Sequence, residues 1–387
     1  MNKFNFLIYN VLILFFTASC CRKSSPVDVD VTPPATLTPA WEKFSVGVDL
    51  SYVNQIEDNG GIFRDSGVVK DPYLIFKQHG ANTVRLRLWH NPQWQLPITN
   101  GKRYSDLYDV ARSIQRAKAA GLAVNLDLHY SDDWADPQKQ ETPAAWKNLS
   151  FEVLKDSVYR YTLGVLDYLK SKNLTPEMIQ IGNENNSGML HPLGRIDNND
   201  FSRFGQLLNS GIRAVRDFSK NAPVKPRVLL HVAQLQNADW FADGVTRLGG
   251  VSDFDVLGVS HYFKWSTVAT LPEVGVQIKA LKAKYGKQVM VVETAYPWTS
   301  QNADTYTNII AGDVGASGYG VSKEEQLRYM KDLVQQVKAA GGSGVQYWEP
   351  AWITSKLRDR WGTGSSWENC ALFDFSGNVL PGMDFGR

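Results

Sequence analysis

The sequence predicts an α/β protein built as a single (β/α)₈ TIM barrel, on three observations. Short runs rich in β-branched and apolar residues recur along the chain, each followed by a loop and a helix-like pattern. The turns from helix to strand are short, whereas the connections from strand to helix are long. The chemically unusual residues fall almost entirely just after the strands, where barrel sites are built.

Eight runs read as strands: 44–50, 82–88, 122–129, 178–182, 227–232, 255–261, 288–292 and 344–348. Helical segments are expected between them, among them 104–120, 151–170, 201–218 and 323–340. Gly121 and Gly341 follow two of these, where a helix commonly ends in a left-handed residue.

The first forty residues read as an address rather than as part of the fold. Lys3 precedes an apolar run too short to span a bilayer, and the run ends in Thr17, Ala18, Ser19 and Cys20. Small residues before a cysteine resemble the lipobox of bacterial lipoproteins. Cys20 is the expected lipidation site and Cys21 the alternative. Residues 1–20 are thus taken as a lipoprotein signal peptide, 21–40 as a flexible tether rich in Pro, Thr and Asp, and 41–387 as the barrel domain. An exported protein anchored in a membrane, at the outer membrane or cell surface, is the expectation.

Lys and Arg total 41 against 39 Asp and Glu, a formal +2 with no basic run beyond the leader, so nucleic acid is not expected as a partner. Of three cysteines only Cys370 lies in the body, where it reads as a small buried hydrophobe. Twelve tryptophans and sixteen tyrosines are many. Eight of those tryptophans follow strands: Trp89, Trp134, Trp265, Trp298, Trp348, Trp352, Trp361 and Trp367. Aromatic faces set among carboxylates and amides suit sugars, whose C–H faces stack on rings while their hydroxyls require polar partners.

Two carboxyl groups flanking a glycosidic bond can protonate its leaving oxygen and stabilise an oxocarbenium-like transition state. Glu184 ends the fourth strand and Glu293 the seventh, positions that face each other across a closed eight-stranded mouth. Their carboxyls are expected at roughly 5–5.5 Å, the separation that allows nucleophilic attack and retention of configuration. Asn183 is expected to hydrogen-bond the hydroxyl beside the reacting carbon, and Tyr262 to orient the nucleophile. One of Arg85 and Arg87 is expected to point inward and keep Glu293 ionised, with Arg87 preferred. His129, Asp132, Trp134, Trp298, Trp348 and Trp352 complete the expected substrate contacts. His90, His191, His231 and His261 read as orienting hydrogen-bond partners rather than metal ligands, because no ligand spacing joins them.

The segments GVDLS (47–51), VRLRLWHNP (84–92), HYSDDWADPQKQ (129–140), IQIGNE (179–184), VVETAYPW (291–298), YWEPAWI (347–353) and WENCALFDF (367–375) resemble those of the family-53 endo-β-1,4-galactanases. That resemblance implies a clan A barrel, Glu184 as acid/base, Glu293 as nucleophile, and the β-1,4-galactan of pectic arabinogalactan side chains as substrate. No cofactor is expected for catalysis, and a monomer is expected. Bacterial members of the family carry a calcium loop after the seventh strand, where this chain has Asn302, Asp304, Tyr306 and Asn308, so structural calcium is an open expectation. The rival readings are another clan A endo-glycanase, a β-mannanase or endoglucanase, and a surface carbohydrate-binding lipoprotein without activity.

Overall fold

The computed structural model describes residues 43–387; the expected signal peptide, tether, Cys20 and Cys21 lie outside the described residues. Eight parallel strands close into a barrel: β1 (Ser45–Asp49), β2 (Thr83–Leu88), β3 (Ala123–Leu128), β4 (Met178–Ile181), β5 (Arg227–Val232), β6 (Val256–Ser260), β7 (Gln288–Glu293) and β8 (Gly344–Tyr347). Each pairs with its sequence neighbours, and β1 closes the ring on β8 through Val46 opposite Val345. All eight lie within the expected runs or one residue beyond them.

Between the strands run, besides a single short turn of α-helix at Val53–Asp58, the helices α1 (Pro72–Gln78), α2 (Leu107–Ala119), α3 (Phe151–Ser171), α4 (Ser202–Ser219), α5 (Ala238–Asp243), α6 (Leu271–Tyr285) and α7 (Lys323–Ala339). Helix α2 starts three residues later than the sequence suggests. Ser105 sits at φ 56°, which no helix accommodates, and the Asp106 carboxylate accepts from the N–H groups of Tyr108 and Asp109 as the N-cap. Gly121 and Gly341 end α2 and α7 with φ of 69° and 75°. After β8 the pattern of eight repeats stops short. The final stretch forms 3₁₀ turns at Glu368–Cys370 and Pro381–Asp384 instead of an α-helix after the last strand.

Strands buried on both faces leave their alternate residues to fill the lumen. The lower layer is apolar, with Met178, Leu229, Val256, Met290 and Val292 in one buried cluster. Above it lie Asn125, whose amide donates to Gln346 Oε1, and then the charged layer of Asp49, Arg85 and Asp127. Arg85 and Arg87 both point inward. Residues two apart share a face of a strand, so the expectation that only one could do so is corrected.

Glu293 owes its direction to an irregularity. Val259 pairs with Val291 but Ser260 pairs with Glu293, which leaves Val292 as an extra residue on β7. Val292 joins the lumenal cluster, and strict alternation would turn Glu293 outward. The bulge returns Glu293 to the lumen as well.

Gly47 is packed against β8 so closely that a Cβ there would lie 2.5 Å from Gln346 Cγ. Gly47→Ala is expected to cost about 1–3 kcal/mol through overpacking. Scanning calorimetry should then record a Tm lower by roughly 2–6 °C; an unchanged Tm would mean that Gln346 has room to swing aside.

Candidate active site

Both glutamates emerge from the C-terminal mouth of the barrel into a cleft of ≈ 950 Å³. The turn after β4 sets the first of them. Gly182 takes φ 78°, and a Cβ there would meet the Asn185 amide at 2.5 Å, so glycine is required. Glu184 itself is held in the left-handed region at φ 45°, a conformation that costs a non-glycine residue free energy and aims its carboxyl across the mouth. A carboxylate oxygen of Glu184, one of Glu293 and a ring nitrogen of His231 all lie within 4.8 Å of one another.

The two carboxyls occupy different surroundings. Glu293 Oε1 lies 2.8 Å from the Arg85 guanidinium, and Tyr262 Oη donates to Oε2 at 3.1 Å. Among the described residues no cation pairs with Glu184; its Oε1 accepts from the Ser260 hydroxyl at 2.6 Å. Burial pushes Glu293 up, to about 7, with Arg85 and Tyr262 opposing the rise and Asp127 and Asp49 adding to it. Burial, and next the charge on Glu293, push Glu184 well above the carboxylate range, against the pull of Ser260 and Arg85. The two titrate as one system, and the member with a guanidinium in contact ionises first.

Arg85 is buried and binds in five directions. It donates to Asp49 at 3.0 Å, Asp127 at 2.7 Å, Asn183 Oδ1 at 2.7 Å and Gln180 Oε1 at 3.1 Å, besides the pair with Glu293. The cation expected beside Glu293 is therefore Arg85, not Arg87. Arg87 begins one pleat nearer the mouth and pairs instead with buried Glu349 at 3.1 Å. Its guanidinium carbon lies 4.1, 4.5 and 4.6 Å from the ring centres of Trp134, Tyr52 and Trp89, so it supports the cleft wall from behind.

Among the other expected residues, Trp134, Asn183, Tyr262, Trp348 and Trp352 line the cleft with the glutamates. Trp348 and Tyr262 each stand nearly perpendicular to Trp367, which gives the wall a rigid corner. Three expected contacts lie elsewhere. His129 is buried behind the wall, bridging Asp127 to the Ala135 N–H. Asp132 spends its carboxylate on the N–H groups of Asn91 and Ala144, which fixes a loop. Trp298 is wedged between loops, its Nε1–H donating to the Glu368 carbonyl and its ring packed on Phe375. In each case a strand-end position alone did not tell a lining side chain from a bracing one.

Sequence reasoning missed Tyr52 and Gln234, which line the cleft, and Ser260, which touches Glu184. Tyr52 directly follows the GVDLS segment, a signal that was available; Ser260 and Gln234 carry none. Tyr306, expected near calcium, also lines the cleft.

Of the four calcium candidates, Asn302 and Asp304 have oxygens already engaged by protein donors. Asp304 accepts from Tyr306 N–H through one oxygen and from Thr354 and Ser365 through the other, while Asn302 Oδ1 accepts from the Asn308 amide. The Tyr306 hydroxyl donates to Asp359. The loop's own donors thus take up oxygens of Asn302 and Asp304, while Asn308 Oδ1 is buried without a hydrogen-bond partner. His90, His191 and His231 each meet an oxygen acceptor or donor, of Asp132, Ser187 and Ser260 respectively, and Cys370 is buried and free.

The sequence matches Glycosyl hydrolase family 53 over residues 45–385. It is 43% identical, over 88% of this chain and 90% of the other, to the arabinogalactan endo-β-1,4-galactanase of Cellvibrio japonicus. Among solved structures it resembles the Ignisphaera aggregans GH53 catalytic domain, with a TM-score of 0.80, 36% identity, and coverage of 89% of this chain and 96% of that one. A fungal β-1,4-galactanase gives a TM-score of 0.75 at 30% identity, covering 88% of this chain and 98% of that chain.

Because Tyr262 Oη–H stabilises the ionised form of Glu293, Tyr262→Phe is expected to raise the pH at which Glu293 ionises by roughly one unit, from about 1.5 kcal/mol per charged hydrogen bond. The carboxyl resonance of ¹³C-labelled glutamate reads this directly. A midpoint that stays put or falls would remove Tyr262 from the control of Glu293.

Proposed function

The chain belongs to glycosyl hydrolase family 53, and from that premise we propose that it is a retaining endo-β-1,4-galactanase acting on the galactan side chains of pectic arabinogalactan. The observation that carries the reading is the asymmetric pair: two carboxyls within 4.8 Å, one paired with Arg85 and one with no cation paired to it among the described residues. A nucleophile must be ionised when substrate arrives and a general acid must hold its proton. The contacts of Glu293 support the first role, and the burial of Glu184 beside it supports the second.

In the first half-reaction Glu293 attacks the anomeric carbon while Glu184 protonates the leaving oxygen. In the second, Glu184 takes a proton from water, which attacks the same carbon and releases Glu293. Asn183, whose Oδ1 is fixed by Arg85 and whose Nδ2 donates to the Ala135 carbonyl, keeps one Nδ2 hydrogen for the neighbouring hydroxyl, which supports its expected role. The tryptophan walls favour a neutral polysaccharide.

Alanine substitutions should separate the two roles. Glu293→Ala forms no glycosyl-enzyme, and azide in its place yields a product of inverted configuration. Glu184→Ala loses galactan hydrolysis by several orders of magnitude, yet still glycosylates on Glu293 with a dinitrophenyl galactobioside, whose leaving group needs no proton. Azide then speeds turnover and gives a retained product. Opposite stereochemistry would exchange the roles, and wild-type activity on mannan or carboxymethylcellulose in place of galactan would overturn the substrate.

We also propose, from the run of small residues before it, that Cys20 is lipidated and anchors the exported protein to a membrane, at the outer membrane or cell surface. Several acyl chains hold firmly where one is marginal. Membrane fractionation should find the wild type with membranes and Cys20→Ala either soluble or unprocessed; wild type found wholly in the medium would end the anchor proposal.

A further inference from the structure

Beyond the two carboxyls, one polar chain in the mouth has no part in the mechanism so far. It runs from Glu184 through Ser260 to His231, on three different strand ends. Ser260 Oγ lies 2.6 Å from Glu184 Oε1 and 3.0 Å from His231 Nε2. Around the other ring nitrogen, the backbone N–H of Glu184 lies at 3.3 Å, the Gln180 amide nitrogen at 3.2 Å and Asn183 Oδ1 at 3.0 Å. Ser260 and His231 are wholly buried.

The direction of these bonds follows from what each atom can donate. An ionised carboxylate only accepts, so in the state in which Glu184 works as a base the proton between it and Ser260 belongs to the serine. Ser260 has spent its one proton, and Nε2 must then supply the next. Nδ1 is left bare, as an acceptor for the N–H of Glu184; the two hydrogens of the Gln180 amide have closer acceptors in Asp127 and the Gly182 carbonyl. Asn183 Oδ1 does not need a proton from the imidazole, because Arg85 already donates to it at 2.7 Å. The reverse direction, from Nδ1–H to Asn183 and from Ser260 to Nε2, leaves Ser260 without a proton for Glu184 and serves only a protonated Glu184.

We propose that Ser260, held by the Nε2–H of His231, is a positioning residue that occupies Oε1 of Glu184 and so confines the transferable proton to Oε2. The relay needs no rearrangement between the two halves of the reaction: Oε2 gives its proton to the leaving sugar and later takes one from water, while the bonds at Oε1 stand. The proposal rests on Glu184 as the acid/base. Glu293, Arg85, Asp136 and Tyr262 also act on Glu184, and Arg85 and His129 act on His231. Burial first, and then those two groups, hold His231 well below its ordinary range, as a relay through a neutral ring requires.

Two measurements on the whole enzyme test this. In ¹⁵N-histidine spectra, with His231 assigned by its loss in His231→Gln, the ring is expected as the Nε2–H tautomer on both sides of the Glu184 titration and in Glu184→Gln. An Nδ1–H tautomer, or a cationic ring, would overturn the relay. In kinetics, Ser260→Ala takes a donor from the carboxylate, so Glu184 holds its proton more tightly and the basic limb of the pH profile moves to higher pH. Galactan turnover should fall roughly tenfold, as for loss of a hydrogen bond to a charged group. Glycosylation by the dinitrophenyl galactobioside should stand, and Ser260→Thr should restore both the limb and the rate. Equal losses on both substrates, or an unmoved limb, would reduce Ser260 to a structural role. Azide rescue of Glu184→Ala reports on the acid/base assignment independently, so failure of the relay and failure of that assignment are told apart.

Discussion

One guanidinium organises this molecule. Arg85 stands on the second strand and reaches Asp49 on the first, Asp127 on the third, Gln180 on the fourth, Asn183 just after it and Glu293 on the seventh. A charge taken out of water is tolerated only where it is paired and its donors are satisfied. Here the partners come from four of the eight strands, so the condition that keeps Arg85 buried also sets the position of the mouth. Asp49, Asp127 and Glu293 outnumber it, and part of the tension appears as the raised titration of Glu293.

The same economy of contacts explains the cleft walls. Arg87, next inward-facing residue on the strand, supports Tyr52, Trp89 and Trp134 from behind while Glu349 holds its charge. Glu349 takes a left-handed φ of 45°, as Glu184 does. Tyr130 and Gln234, just past the third and fifth strands, take positive φ as well, so backbone strain recurs along the rim, and at two of these strand ends it aims a carboxyl, one at the cleft and one at the wall's supporting cation.

The barrel was legible in the sequence because parallel strands buried on both faces leave near-continuous apolar runs, and the two glutamates were legible because they end such runs. What strand-end position could not resolve was depth. Arg85 and Arg87 share a face, and only the packing shows which of them reaches Glu293. Trp298 and Trp348 both follow strands, yet one braces loops and the other lines the cleft. The bulge at Val292 has no sequence mark, since any apolar residue could fill it, and Ser260 is a lone serine in an apolar strand. The loop from Asn302 to Asn308 has the composition of a cation site, yet Asn302 and Asp304 turn oxygens on the loop's own donors.

The packing beneath Arg85 has a further consequence. Gly47 and Gln346 close on each other, and the apolar layer of Met290 and its neighbours lies below, so the lumen beneath the cleft is filled. Water for the second half-reaction must enter through the mouth by which the polymer came. It cannot reach the sugar held on Glu293 until the departing fragment has vacated the far side of the cleft, and until then an incoming sugar hydroxyl competes for the same place. In such a cleft the choice between cutting a chain and rejoining it is made by traffic at the mouth: crowded with product, the enzyme would build glycosidic bonds with the groups that break them.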